Sequence, residues 1–396
     1  MQKKLIALAV ASLASGAAFA QTNVTMYGIA DAAYVYGSGG DNDFSGVQSG
    51  MLSGSRLGFR GEEALGNGLK AVFTLEYSLD IDGNKGVGYS DTEGGLNARQ
   101  QFVGLASNWG TVALGRQYAP GYQATVNNDP FAGATFSPTS FLTAGAGNSI
   151  SPGSPARWNN AATFTSNNYS GFSFKGIYAF GEYAPTNTLD LNNGEDNIWD
   201  DGAWGLGANY ANGPINIDAV YQSRMYRRTN ATSLATTYPG VDRTNNANGG
   251  DTDEWYIGGS FDLKFVKLMA SYQDQSDNNN ARSAASNPVT GALAPRFPNN
   301  DNSTWTVGAV IPIMSSSNIH LGYAELDMDQ GGGAYDGKSQ SFAAAFTHNL
   351  SKRTTLYAGY VWVDNDNDSI GAAPVKGLGV RDDDNNTFLA GVRHTF

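Results

Sequence analysis

Hydrophobic residues occupy every second position along residues 69–80. One face carries only apolar or aromatic side chains, namely Leu69, Ala71, Phe73, Leu75, Tyr77 and Leu79. The other face is mostly charged or polar and consists of Lys70, Val72, Thr74, Glu76, Ser78 and Asp80. A period of two indicates a β-strand. The run is longer than the roughly 5–6 residues usual in soluble sheets and matches the roughly 9–11 residues that cross a bilayer at a tilt.

The same alternation recurs along the chain, for example in residues 171–182, 303–313 and 386–396. Together such runs predict an all-β chain of sixteen strands. Their approximate bounds are 24–36, 55–63, 68–80, 98–107, 110–118, 157–168, 171–182, 203–211, 214–225, 252–262, 264–275, 303–313, 317–328, 339–349, 352–363 and 386–396.

Short and long connections alternate strictly between these strands. Seven tight turns separate the long polar stretches around 37–54, 81–97, 119–156, 183–202, 226–251, 276–302, 329–338 and 364–385. This predicts an antiparallel, up-and-down sheet with both termini on the short-turn side, an asymmetry typical of outer-membrane barrels. An open sheet edge in hydrocarbon would leave backbone groups unpaired, so the sheet is expected to close. A barrel of sixteen strands encloses water rather than a packed core.

Residues 1–20 have the pattern of an export signal rather than of the fold. Lys3 and Lys4 precede an apolar run, and Ala18-Phe19-Ala20 forms a small-residue cleavage site before Gln21. The alternative, a membrane anchor, fits less well because the run is short. We therefore expect a signal peptide at 1–20 and a transmembrane barrel over 21–396.

Composition narrows the function classes. Without residues 1–20 the chain has 22 basic and 36 acidic residues, a net charge of −14, which argues against a nucleic-acid partner. The sequence has no cysteine, so disulfide-built modules and thiolate metal sites are excluded. A soluble β-sandwich adhesin or lectin is the rival fold, but it would not explain the strand length or the alternation of loops.

Five segments, in order along the chain, resemble the general diffusion porins of Gram-negative bacteria, in particular the neisserial and β-proteobacterial type. They are Val24–Ala32, Ser55–Ala71, Leu114–Tyr118, Asn349–Tyr360 and Gly391–Phe396. The resemblance implies a homotrimer in contact with outer-membrane lipid and lipopolysaccharide. It also implies one water-filled channel per barrel for ions and small hydrophilic solutes, and recognition of Phe396 by the barrel-assembly machinery. It further implies that the third long loop, 119–156, folds inward and narrows the pore.

Arginines are the candidate pore residues. Arg56 and Arg60 alternate with Leu57 and Phe59, so parity places both arginines in the lumen. In the related porins an arginine ladder on the wall faces acidic groups on the inward loop, and the matching positions here are Arg56, Arg99, Arg116 and Arg157. A guanidinium keeps its charge at any working pH. The alternative is that these are rim arginines with solvated charge.

Parity conflicts with the resemblance for two of these arginines. Arg99 is in phase with Val103, and Arg116 is in phase with Leu114, so strict alternation would turn both toward lipid. An arginine there costs a few kcal/mol at mid-bilayer and roughly 0–1 near the interface. We expect a bulge or a strand end to return both side chains to the lumen.

The inward loop departs from the family pattern. Where the related porins have Pro-Glu-Phe-Gly-Gly, this chain has Asp129-Pro130-Phe131-Ala132-Gly133. The glutamate is missing, and Asp129 is the nearest acidic substitute opposite the arginines. The loop is otherwise poor in acid, which predicts a weak preference for anions. The alternative is a solute-selective pore for small anionic substrates.

Catalytic and metal sites have little support in the sequence. His320, His348 and His394 lie near short-turn ends of strands, and no G-x-S-x-G motif occurs, so an outer-membrane enzyme is the least favoured class. Asp364, Asp366 and Asp368 alternate as calcium ligands do, but the glycine and later glutamate of a calcium loop are missing. We expect no cofactor and no metal, although a weak cation site at the outer mouth stays open.

Overall fold

The computed structural model describes residues 23–83, 98–181, 202–225, 251–278, 300–330, 335–366, 369–375 and 377–396. The predicted signal peptide, most of four long loops and smaller parts of two others lie outside the described residues, and the signal peptide stays a prediction. No helix in the described ranges is long and apolar enough to span a membrane.

Seventeen strands and two α-helices make up the described fold. The strands are β1 (Asn23–Gly39), β2 (Asn42–Ser49), β3 (Arg56–Gly66), β4 (Leu69–Ser78), β5 (Ala98–Ser107), β6 (Gly110–Tyr118), β7 (Arg157–Ser166), β8 (Phe172–Ala179), β9 (Ala203–Asn212), β10 (Ile215–Arg224), β11 (Thr252–Asp262), β12 (Lys267–Asn278), β13 (Asn300–Met314), β14 (Ser317–Gln330), β15 (Tyr335–Asn349), β16 (Thr354–Asn365) and β17 (Asp383–Thr395). The helices are α1 (Pro120–Asn127) and α2 (Pro138–Gly145), and a 3₁₀ turn covers Ser154–Ala156.

Sixteen of these strands form a closed antiparallel ring, which confirms the predicted barrel. From β3 to β17 each strand pairs with the next, and β17 pairs with β1 from Ile29↔Thr395 to Gly39↔Asn385. The tight turns also occur as predicted. At Gly66-Asn67-Gly68, for example, all three residues have positive φ, which glycine and asparagine tolerate best.

Strand β2 is the element that the alternation missed. It lies within the predicted loop 37–54 and pairs only with the upper half of β1, from Ala32↔Ser49 to Gly39↔Asn42, whereas β3 takes the lower half. Most of its side chains are exposed or half-buried, so they carry no long apolar face. The segment folds as a strand because β1 extends beyond β3 and offers a free edge.

Aromatic residues pair with one another on the outer surface near both ends of the barrel. Near the loop end, the pairs Trp204–Tyr221, Trp255–Tyr272, Trp305–Tyr323 and Tyr360–Phe388 have ring centroids 4.8–5.3 Å apart. Near the turn end lie Trp109–Phe164 and Phe172–Tyr210. Exposed apolar side chains such as Val103, Leu114 and Leu206 fill the zone between them. This outward arrangement is that of a barrel in a bilayer.

The C-terminal residue completes the ring at the turn end. The Gly28 and Phe396 backbones exchange two hydrogen bonds of 3.0 and 3.1 Å. A Cβ built on Gly28 would overlap the Phe396 ring, so only glycine leaves room for that ring. The smallness of Gly28 therefore serves the closure of its own barrel.

Candidate pore constriction

Residues 119–156, which we call the inner loop, run inside the barrel. Both helices belong to this loop, and its ends are joined by a 2.8 Å hydrogen bond from Ala119 N to Ala156 O. Helix α1 packs against β9, β10 and β11, and helix α2 packs against β14 and β15. The contacted strand positions define the inner face of the wall. Pro120, for example, lies against Gly205 and Gly207.

Buried polar side chains of the wall hold the inner loop. Glu254 is 1% exposed, and its two carboxylate oxygens accept hydrogen bonds from the Ser149 and Ile150 amides at 2.9 and 2.8 Å. The same carboxylate pairs with Arg224 at 2.8 Å. Gln222 accepts a 2.8 Å hydrogen bond from the Gly121 amide and donates to Ser149 Oγ at 2.7 Å. A loop that is buried against the wall must find hydrogen-bond acceptors for its backbone amides. Glu254 and Gln222 provide these acceptors.

Glu76 is the acidic centre of the arginine-bearing strands. Its side chain is 4% exposed and receives Arg99 Nε at 2.8 Å, the Tyr27 hydroxyl at 3.0 Å and Arg56 Nη1 at 3.8 Å. Glu76 on β4 is in register with Gly58 on β3, which is in register with Tyr27 on β1. Arg56 and Arg60 lie two residues on either side of Gly58, on the same face.

A β-bulge brings Arg99 to this face. Between the pairs Leu75↔Gln101 and Tyr77↔Ala98, strand β5 has two residues where β4 has only Glu76. The extra residue shifts the alternation, as bulges do, and Arg99 reaches Glu76 although it is in phase with Val103 in the sequence. Its Nη2 also donates to the Tyr118 hydroxyl at 3.2 Å.

Tyr118 connects the arginines to the inner loop. Its ring stacks on that of Tyr122 in α1, with centroids 3.6 Å apart and planes 13° apart. The Arg157 guanidinium carbon lies 5.3 Å from the Tyr118 ring centroid, within cation–π range. Burial and the adjacent Tyr118 hydroxyl raise the pKa of Tyr122 to about 12, so Tyr122 is neutral at physiological pH.

The other two arginines lie apart from Glu76. Arg60 is stacked over Tyr27, with 5.2 Å from its guanidinium carbon to the ring centroid. Arg116 is in register with Gln101 and, through it, with the outward Leu75. Its guanidinium donates to the Ala98 and Arg157 carbonyls at 3.0 and 3.2 Å and to the Asn159 side chain. Arg116 therefore holds strand ends together, and its register follows the parity argument rather than the family ladder.

Asp129 is not brought to the arginines. It is 3% exposed, and its carboxylate accepts hydrogen bonds from Gly133 N at 2.7 Å and Ser137 Oγ at 2.8 Å, both within its own loop. Burial raises the pKa of Asp129 to about 6, and these hydrogen bonds offset part of the rise. Ala132 and Gly133 have positive φ, so a tight turn encloses the carboxylate. Its contacts are those of a turn-forming residue.

Sequence reasoning missed Glu76, Glu254 and Tyr118 as site residues. A signal existed for Glu76, which stands on the polar face of the most regular strand and in phase with Lys70 and Thr74. Nothing local distinguishes Glu254 from other acidic residues, because its partners in the inner loop are more than a hundred positions earlier in the chain.

The histidines take part in structural hydrogen bonds. His320 Nδ1 lies 2.8 Å from the Pro130 carbonyl oxygen. This histidine therefore contacts the inner loop, whereas the sequence placed it near the short-turn end of its strand. His348 bonds Ser317 and His394 bonds Thr354. Among the residues that the structure describes, no group of three His, Cys, Asp or Glu side chains is arranged to hold a metal ion. Asp368 lies outside the described ranges.

Comparison with known proteins identifies close similarities over the whole chain. A family model described as Gram-negative porin matches residues 7–368. The chain is 31% identical to an outer membrane porin protein of Bordetella pertussis, over 90% of this chain and 93% of that one. It is 30% identical to outer membrane porin protein 32 of Delftia acidovorans, over 100% of both.

Solved structures have the same fold. An anion-selective porin from Comamonas acidovorans superimposes with a TM-score of 0.71 and 25% identity, over 95% of this chain and 100% of that one. The trimer form of in-vitro folded OmpT from Vibrio cholerae gives a TM-score of 0.60 at 16% identity, over 95% and 99% of the two chains. Because OmpT is only 16% identical to this chain, its similarity concerns the fold alone.

Proposed function

The chain belongs to the Gram-negative porin family and is an outer-membrane channel, and from this premise we propose that it passes ions and small hydrophilic solutes passively, with a weak preference for anions. A pore of this kind selects by its width and by the charges at its narrowest point. The inner loop and the arginines that it meets at Tyr118 are the proposed constriction.

The observation that carries the anion preference is the shortage of acidic residues on the inner loop, which contacts the arginine strands at Tyr118. Asp129 is the sole acidic residue of the sequence between 119 and 156, and its carboxylate is enclosed by Gly133 and Ser137. On the wall, one carboxylate, that of Glu76, serves both Arg99 and Arg56. Positive charge therefore exceeds negative charge locally, and the similarity to the anion-selective porin of Comamonas acidovorans supports the same sign.

The test is the reversal potential of purified protein in a planar bilayer under a KCl gradient. The wild type should favour chloride. Replacing two arginines together, Arg60→Gln and Arg157→Gln, should lower the chloride-to-potassium permeability ratio several-fold, because two local positive charges are removed while the Arg99–Glu76 pair stays intact. The matched control is Lys70→Gln, an exposed cation already paired with Glu62 at 2.9 Å near the turn end. A cation-selective wild type would refute the sign of the proposal but not the channel.

A solute-selective channel for small anionic substrates is the second candidate. The grouping of Arg56, Arg99 and Arg157 around Glu76 and Tyr118 favours it, because several guanidinium groups converge where a carboxylate or phosphate would pass. Uptake that saturates with solute concentration would support this second candidate, whereas uptake that stays linear would support general diffusion.

We also propose a homotrimer, for which the trimer form of OmpT gives a precedent in this fold. Chemical cross-linking in detergent should then stop at three chains, and bilayer currents should close in three equal steps. Recognition of Phe396 by the assembly machinery, and contact with lipopolysaccharide, stay predictions of the family resemblance.

A further inference from the structure

An apolar core fills part of the barrel interior. Four groups of buried side chains form it: the wall residues Ala33, Val35, Ala324, Leu326, Met328, Ala343, Ala345, Tyr357, Val361, Val363 and Leu389; Met51 before β3; Phe131, Ala134, Phe136, Leu142 and Ala146 of the inner loop; and Ile370, Ala372, Val375 and Leu378. The last four belong to the final long connection. We call its described residues, 369–375 and 377–382, the second inner segment.

The second inner segment lies directly against both the wall and the inner loop. Ile370 and Leu378 are each 2% exposed. A Cβ built on Gly145 of α2 would lie 2.7 Å from Ile370 Cδ1, and one built on Gly37 of β1 would overlap Leu378 Cδ1. The segment is therefore in close contact with α2 on one side and with β1 on the other.

Two asparagines hold the segment in this position. Asn365, at the end of β16, donates to the Ala372 carbonyl at 3.0 Å and accepts from the Ala372 amide at 2.8 Å. Asn385 of β17 donates to the same carbonyl at 2.9 Å. Both asparagines are at most 1% exposed, so these bonds form away from bulk water and replace hydration that the groups lose on folding.

We infer that the second inner segment is a second determinant of the open area of the channel. It fills the lumen beside β14–β17 and β1 and packs against α2 of the inner loop. It thereby confines permeation to the side of the arginine strands. The inference rests on the proposed channel function and adds residues that set the open area. The apolar core leaves this side of the lumen without the water that a sixteen-stranded barrel otherwise holds.

The first experiment measures the open area. The double replacement Ile370→Ser and Leu378→Ser puts unpaired hydroxyls in the core and should loosen the segment, with a larger and noisier single-channel conductance and passage of larger uncharged polymers. Val380→Ser is the matched control, since Val380 is a partly exposed valine of the same segment and should keep both quantities. Chloride preference should persist in both variants because all the arginines remain.

The second experiment does not depend on the double variant folding. The sequence has no cysteine, so single cysteines can be labelled without background. A charged, water-soluble thiol reagent should react quickly with Arg60→Cys in the folded barrel and hundreds of times more slowly with Ile370→Cys. Equal labelling rates would overturn the inference, as would unchanged conductance and polymer cut-off in a folded double variant. A wild type that conducts no ions would instead overturn the proposed channel.

Discussion

At the scale of single residues, Glu76 organises the arginine-bearing strands. It lies between Arg56 and Arg99 and also accepts the Tyr27 hydroxyl. The negative charge of this buried carboxylate is compensated by its two cationic neighbours. Because there are two guanidinium groups and one carboxylate, one positive charge is left in excess. Glu76 thus fixes the geometry of the arginines without cancelling their field.

Asp129 gives a pH dependence with a defined sign. Its pKa is raised to about 6, chiefly by burial, so the folded state binds this proton more tightly than the unfolded chain does. The resulting stabilisation is complete below the ordinary aspartate pKa of 3.8 and is lost as the pH rises through about 6. We therefore expect one stabilising component in the apparent Tm of detergent-solubilised protein as the pH falls from 7 to 4.

Asp129→Asn should remove that component, because the amide does not titrate. An identical pH profile in both proteins would contradict the assignment. Ser137→Ala, which takes one hydrogen-bond donor from the carboxylate, should move the transition to higher pH, since the charged form loses a partner.

Residue-scale prediction from sequence succeeds where alternation alone decides the face. Arg56 and Arg60 lie on the same face of the sheet as Gly58 and Tyr27, as parity requires. Arg99 needs a bulge, and the bulge depends on the pairing of β5 with β4 rather than on any local pattern. The sequence predicts Asp129 opposite the arginines, but the turn that encloses its carboxylate forms only once the loop packs inside the barrel.

At the scale of elements, the inner loop depends on the wall for its position. Its two helices of eight residues each are shorter than isolated helices that are stable in water. The Glu254 carboxylate binds two loop amides and Arg224, and it thereby anchors the later part of the inner loop to the wall.

Glu254→Ala should release the end of the inner loop. The change leaves Arg224 and two amides without their acceptor, and loss of one partner of a buried ion pair costs about 3–5 kcal/mol. We expect a lower unfolding temperature and frequent current fluctuations in single-channel recordings. Glu62→Ala is the matched control, because the Glu62–Lys70 pair is exposed on both sides and such pairs contribute about 0–1 kcal/mol. Quiet recordings from Glu254→Ala would contradict the anchoring role.

Element prediction is complete for the sixteen strands of the ring and fails for β2. Each ring strand has an apolar face toward lipid, so period two is evident in its sequence. Strand β2 has no such face, and its existence depends on the free edge that β1 offers from Ala32 to Gly39. The final long connection is predicted as a polar loop, yet Ile370, Val375 and Leu378 are buried, because apolar residues spaced irregularly in a loop carry no periodic signal.

At the scale of the molecule, two opposing charge distributions act on a permeating ion. The full sequence has a net charge of −12, whereas the arginine strands are locally positive. The Debye length is about 3 Å at 1 M salt, about 10 Å at 0.1 M and about 30 Å at 0.01 M. Nearby guanidinium groups should therefore dominate at moderate salt, and distant acidic residues should contribute only at low salt.

The proposed chloride preference should accordingly depend on ionic strength in two stages. We expect it to rise as KCl falls from 1 M to 0.1 M, since the arginine field is screened less, and to level off or fall toward 0.01 M as the outer acidic residues begin to act. Reversal potentials at a fixed concentration ratio measure this. A steady rise down to 0.01 M would mean that the net charge of the chain has no influence on the pore.

The pairing of β1 with β17 sets an order in time as well as in space. Residues 29–39 find their partners at residues 385–395, so the first strand to leave the export channel waits for the last. Until then every partial sheet has two unsatisfied edges, which in water invite aggregation and in lipid are excluded. Pairing over such a sequence distance is also slow. We therefore expect the chain to cross the periplasm without a closed sheet, and the ring closes only when residues 385–395 pair with β1 and Phe396 bonds Gly28.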